Sequence, residues 1–108
     1  MKSIVIALLF IFSYTDQTIF DVNITSKSTA EDLEAFRKQA TKLDIMFNIN
    51  YATYNEDRTI KVLQLEVVFK DFKSASTIRF EKSSCLNVFV DTELKAERPF
   101  GIGKCKQE

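Results

Sequence analysis

The chain has no histidine and no tryptophan, only two cysteines, two glycines and one proline, and no net charge over its 108 residues. Without histidine it lacks the commonest general acid–base group and the commonest zinc ligand. Fifteen Lys and Arg offset fifteen Asp and Glu, so no basic excess points to nucleic acid or anionic lipid as a partner. A phosphate-cradling glycine loop, His-Glu-x-x-His and Gly-x-Ser-x-Gly are all missing. The scarcity of Gly and Pro excludes a collagen-like or low-complexity chain, and 45% hydrophobic residues exclude disorder. One small domain fits the length; two do not.

What is present begins with an address. Lys2 precedes nine consecutive apolar residues, Ile4 to Phe12. Nine helical residues span about 14 Å, roughly half of a bilayer's hydrocarbon core. The run therefore suits a signal-peptide core, and residues 1–17 are read as a signal peptide, with an N-terminal strand as the alternative. After cleavage no stable membrane span is expected, and the chain belongs in a secreted or periplasmic setting.

Beyond it, Phe20, Val22 and Ile24 alternate with Asp21, Asn23 and Thr25, the period of a half-buried strand. Ser28 and Glu31 have capping-box spacing, and Leu33, Phe36, Ala40 and Leu43 form one apolar stripe of a helix from Thr29 to Lys42. Phe36 is expected to bury its ring against Phe20, Phe47 or Leu65. Glu34 and Lys38 are spaced to pair on the solvent side. Strands are expected around Ile45–Ala52 and Thr59–Lys70, joined by the polar turn Asn55–Arg58. Ile60 breaks the parity of the second, which predicts a bulge near Lys61 or Val62. After a connection over Asp71–Ala75, shorter strands follow at Thr77–Lys82 and around Leu86, Val88 and Val90.

These elements predict an α+β domain over 18–92. One helix packs on one face of a four- to five-stranded, mainly antiparallel sheet in β-α-β-β-β order. Residues 93–108, with Pro99, Gly101 and Gly103, read as an irregular tail held in part by Phe100. Asp21, Asn23, Asn48, Asn50, Gln64 and Glu66 are expected on the opposite, solvated face of the sheet.

Few residues carry chemistry. Cys85 and Cys105 are the only cysteines; in an oxidising compartment an even pair suits a disulfide, with two free thiols as the alternative. A catalytic thiol lacks a histidine base, and two cysteines so far apart are not a zinc spacing. Glu31/Asp32 and Glu56/Asp57 are explained by a helix start and a turn. Asn23-Ile24-Thr25 is formally a glycosylation acceptor, here within a strand. No catalytic residue, metal or cofactor is implied.

The run from Ile24-Thr25 through Ser28-Thr29, Leu33, Phe36, Leu43-Asp44-Ile45, Ile60, Leu63, Leu65 and Lys70-Asp71 resembles a small exported module of the Bacteroidetes. That module often forms the extracytoplasmic C-terminal end of membrane zinc peptidases of the antibiotic-sensor type. The resemblance covers about residues 18–82. The chain departs from it at Phe72-Lys73-Ser74-Ala75, where the module usually has glycine, and in its cysteines and tail. The zinc motif is not in the sequence, so no peptidase residue carries over. The resemblance implies an exported accessory or recognition domain.

The expectation is thus a small exported, non-enzymatic binding or accessory domain. The alternative is a structural or inhibitor-like partner of another exported or membrane protein, engaged through a sheet edge or the polar face.

Overall fold

The computed structural model describes residues 18–105; the leader read over 1–17 lies outside them. Among the described residues, the order is β1 (Ile19–Thr25), α1 (Ala30–Lys42), β2 (Met46–Tyr54), β3 (Ile60–Phe69), β4 (Phe72–Arg79), β5 (Cys85–Asp91) and β6 (Phe100–Lys104). The class is α+β, as expected. The single sheet is not observed: the strands divide into two antiparallel three-stranded sheets, β1-β5-β6 and β2-β3-β4. Periodicity fixes which side of a strand is buried but not which strand lies beside it. Here β2, β3 and β4 pair through local turns, while β5 returns to β1 at the start of the domain, with Val22 opposite Val88.

Both sheets turn their apolar sides on one core. Phe20 and Ile24 of β1, Leu63, Leu65 and Val67 of β3, and Val88 and Val90 of β5 are fully buried there. Phe20 and Phe47 meet edge to face at 5.9 Å, joining β1 to β2. Phe72 and Phe100 stack at 5.4 Å, joining β4 to β6. The expected irregularity in β3 is present. Thr53 pairs with Val62 and Tyr54 with Ile60, so Lys61 is the extra residue, and Ile60 can enter the core. A second shift places Asn50 between the paired Ile49 and Tyr51.

The helix begins one residue later than its expected cap. Thr29, not Ser28, is the N-cap: Asp32 N–H donates to Thr29 Oγ1 (3.3 Å), and Thr29 N–H donates to Asp32 Oδ2 (3.0 Å). Ser28 is already engaged. Its Oγ accepts from Thr25 N–H (2.9 Å), and its carbonyl accepts from Ile60 N–H (2.9 Å), tying the end of β1 to β3. Leu33 and Ala40 are buried, whereas Phe36 and Leu43 are only half-buried against the core. Glu34 pairs with Arg37 rather than Lys38. At the C-terminus, Ile45 N–H reaches Ala40 O (2.9 Å) and Asp44 N–H reaches Thr41 O (3.1 Å). Asp44 takes the left-handed conformation of this motif (φ 61°), and Ile45 passes into the core.

Two further expectations are corrected. Asp71–Ala75 is not a loop: Phe72 already pairs with Phe69 across a two-residue turn, and β4 runs on beside β3. Residues 93–108 are not wholly irregular, because β6 continues the first sheet, with Phe100 opposite Val90 and Ile102 opposite Val88. Phe100 and Ile102 have the alternating apolar side chains of a strand, with Gly101 between them and Gly103 after Ile102, neither with positive φ. Cys85 and Cys105 form the disulfide that fastens the end of β6 to the start of β5, with Cα atoms 5.5 Å apart. No helix among the described residues is long and apolar enough to cross a membrane.

Candidate functional site

The six polar residues expected on one face do not share one. Asp21 and Asn23 lie on β1 in the first sheet, whereas Asn48, Asn50, Gln64 and Glu66 lie on β2 and β3 in the second. In the second sheet, Asn48 Nδ2 donates to Glu66 Oε1 (3.4 Å), and Lys73 bridges to Glu66 Oε2 (3.3 Å). Asn50 is the unpaired residue of β2, and Gln64 is exposed opposite Tyr51. Asn48 borders a small recess of about 340 Å³ under the helix end, with Arg37, Thr41 and Met46.

The carboxylate pairs serve local structure. Asp32 caps the helix, and Glu31 makes an exposed ion pair with Arg58 (3.6 Å). Asp57 closes the hairpin turn. Hydrogen bonds from the Thr59 hydroxyl and backbone hold its carboxyl below the ordinary value.

A groove of about 890 Å³ crosses the outer face of the first sheet, and it includes Asp21 and Asn23. Strand register dictates its layout. Asp21, Phe89 and Gly101 form one row across β1, β5 and β6; Asn23, Asn87 and Gly103 form the next. Within this grid the Asn87 side chain is the hub. Its Nδ2 directs two hydrogens, one of them shared, to three acceptors: Asp21 Oδ1 (2.7 Å), Asn23 Oδ1 (2.9 Å) and the Val22 carbonyl (3.2 Å). Those bonds orient three side chains, leaving Asn87 Oδ1, Asn23 Nδ2 and Asp21 Oδ2 without a hydrogen bond among the described residues.

The floor at β6 is bare backbone. A Cβ built on Gly101 or Gly103 meets nothing within 4 Å. Neither glycine has positive φ, so neither conformation nor crowding requires glycine there.

The rim is the segment after β5, which carries the exposed Glu97 and Arg98. It is organised by Asp91, a buried carboxylate that accepts from the backbone N–H groups of Glu93 (3.0 Å), Lys95 (3.0 Å) and Ala96 (2.8 Å). Burial pushes the Asp91 carboxyl up, but these bonds and the Lys95 charge outweigh it, and its pKa lies below the ordinary value. Leu94 takes a left-handed conformation (φ 56°) so that the segment can turn back to β6.

Sequence reasoning missed Asn87, Phe89, Gly101, Gly103 and the rim. The signal was there in two alternations, Leu86-x-Val88-x-Val90 and Phe100-x-Ile102, whose intervening residues are Asn87, Phe89 and Gly101, with Gly103 the next in step. Among the described residues no three His, Cys, Asp or Glu side chains gather as a metal site.

No known protein family, curated protein or solved structure matches the chain.

Proposed function

We propose that the protein is a small exported binding domain that holds its ligand, without transforming it, in the groove over β1, β5 and β6. The observation that carries this reading is the bare strand β6. Glycine inside a strand is destabilising by about 0.5–1 kcal/mol relative to alanine. It marks places where a bulge, a bend or a closely approaching group requires it. Gly101 and Gly103 are in regular register with open space above them, which leaves the approaching group. Amides, a carboxylate and an aromatic ring beside bare backbone suit holding a ligand.

Export is supported by Lys2 and the Ile4–Phe12 run together with the Cys85–Cys105 bond. The resemblance of residues 18–82 to accessory modules of exported peptidases is consistent with a recognition role. An inhibitor-like partner acting by strand addition is the weaker reading. The outer edge of β4 carries the exposed Lys73 and Arg79, charges of the kind by which edge strands resist new pairing.

Amide chemical-shift mapping with a library of small polar fragments tests the site. Shifts are expected to concentrate on Asn23, Asn87, Phe89, Gly101 and Gly103. Shifts scattered over the surface, or gathered on β2 and β3, would overturn the reading. N-terminal sequencing of the protein from its native host tests export, with a start between Tyr14 and Thr18 expected and a start at Met1 contradicting it.

A further inference from the structure

The groove also has a chemistry that narrows its ligand, an inference that rests on its being a binding site. Three classes of occupant differ in what they require. An extended peptide requires free backbone partners. Asp91 N–H bonds to the Pro99 carbonyl (2.7 Å) and Cys105 N–H bonds to the Cys85 carbonyl (3.3 Å). Hydrogen-bonded pairs alternate along an antiparallel ladder, so Phe89–Gly101 and Asn87–Gly103 are bonded pairs as well. The backbone groups of both glycines are therefore spent on β5, so a peptide laid over this floor finds no ladder to extend; those of Phe100, Ile102 and Lys104 point instead to the outer edge of β6.

An anionic ligand requires donors and positive charge. Asp21 and Glu97 set two carboxylates against the single Arg98 at this groove, and the hub Asn87 directs its donor nitrogen inward to Asp21 and Asn23. The charge balance therefore opposes an anion.

A neutral polyol requires short, oriented acceptors and donors at one side and a flat apolar surface at the other. The two rows of the grid supply both. Asp21 Oδ2, Asn23 Nδ2 and Asn87 Oδ1 offer a mixed set held in place by one amide, which suits hydroxyl groups that donate and accept at once. Beside them lie Phe89 and the glycine backbone. Gly101 and Gly103 are two residues apart, so the bare floor is about 7 Å long, room for one pyranose ring. An aromatic side chain opposite a strand glycine can fold over to cover it. Phe89 does not, since no atom comes within 4 Å of the position a Gly101 Cβ would take.

We propose that the groove binds a neutral saccharide. Its ring lies on the backbone of Gly101 and Gly103 beside Phe89, and its hydroxyls bond to Asp21, Asn23 and Asn87.

The test is a set of amide-shift titrations with cellotetraose, chitotetraose, maltotetraose and xylotetraose. Each is taken to about 10 mM, which detects a millimolar Kd with ease. At least one is expected to shift Asn23, Asn87, Phe89 and the two glycines together. Gly101→Val with Gly103→Val, and separately Asn87→Ala, are expected to weaken that binding by about tenfold or more, the loss of roughly 1.4 kcal/mol. Binding of a saccharide that survives both variants would overturn the proposal. So would no shift from any of the four while polar fragments still map to the groove; in that case the binding reading stands and the saccharide falls. No shift from either set overturns both.

Discussion

Leu33→Ala tests how the helix is held. Leu33 is 1% exposed and lies on the stripe by which α1 meets the core. The change removes three carbons, worth about 0.8 kcal/mol each in transfer, or roughly 2.4 kcal/mol. A cavity left between the helix and two sheets that cannot collapse together raises this to about 3–4 kcal/mol, within the usual range for such changes. A domain of this size holds about 5–10 kcal/mol in total, so the variant remains folded at low denaturant but loses much of its margin. With a urea m-value of about 1 kcal/mol/M, the midpoint is expected to fall by about 3–4 M. Phe36→Ala is expected to cost about half of the 3–5 kcal/mol of a fully buried ring, because Phe36 is only half-buried. Lys38→Ala, on the exposed side, is expected to change stability by less than about 0.5 kcal/mol. If Leu33→Ala unfolds at the same midpoint as Lys38→Ala, the stripe is not what anchors the helix, and the account of the core is wrong.

Cys85→Ser with Cys105→Ser opens a loop of sequence separation 20, which is expected to cost about 3 kcal/mol in the chain-entropy account. Hydrogen exchange should rise first along β6, and exchange unchanged there would contradict its being fastened by the bond. Thr29→Ala is expected to cost about 1 kcal/mol in urea titration and Ser28→Ala not to act as a cap loss, since Thr29 holds that place. For Asp91, the depressed pKa means that its stabilisation is present above the carboxyl's unfolded value and is lost as pH falls through the lower folded value. Asp91→Ala and the parent should therefore differ in urea midpoint near neutrality and converge in acid. A difference constant with pH would refute the role given to the ionised carboxylate.

Local elements were legible because local chemistry writes them. The alternation of Phe20, Val22 and Ile24, the stripe through Leu33 and Ala40, and the odd parity of Ile60 each correspond to a buried position. The cysteine pair was legible from its even count, given the oxidising compartment the sequence led us to expect. Partnership was not. That β5 lies beside β1 rather than beside β4 depends on a long-range pairing that no window of the sequence contains. Expecting one sheet where there are two also dispersed the site. Asp21 and Asn23 were grouped with Asn48, Asn50, Gln64 and Glu66, although their companions are Asn87 and Phe89. Pro99 and the two glycines read as chain breakers, yet Pro99 only precedes β6, and the glycines lie inside it with ordinary backbone. Ser28 misled for a related reason. It has the cap spacing, but a turn at the end of β1 and the contact with β3 claim it first.

The central claim is that Gly101 and Gly103 serve a ligand and not the fold, and equilibrium unfolding of Gly101→Val with Gly103→Val tests it most directly. Open space above both positions and the absence of positive φ mean that valine, a good strand former, should not destabilise the domain. A gain of about 0.5–1 kcal/mol per site is expected. A loss of more than about 1 kcal/mol would show that the fold itself requires the glycines and would contradict the account of the groove.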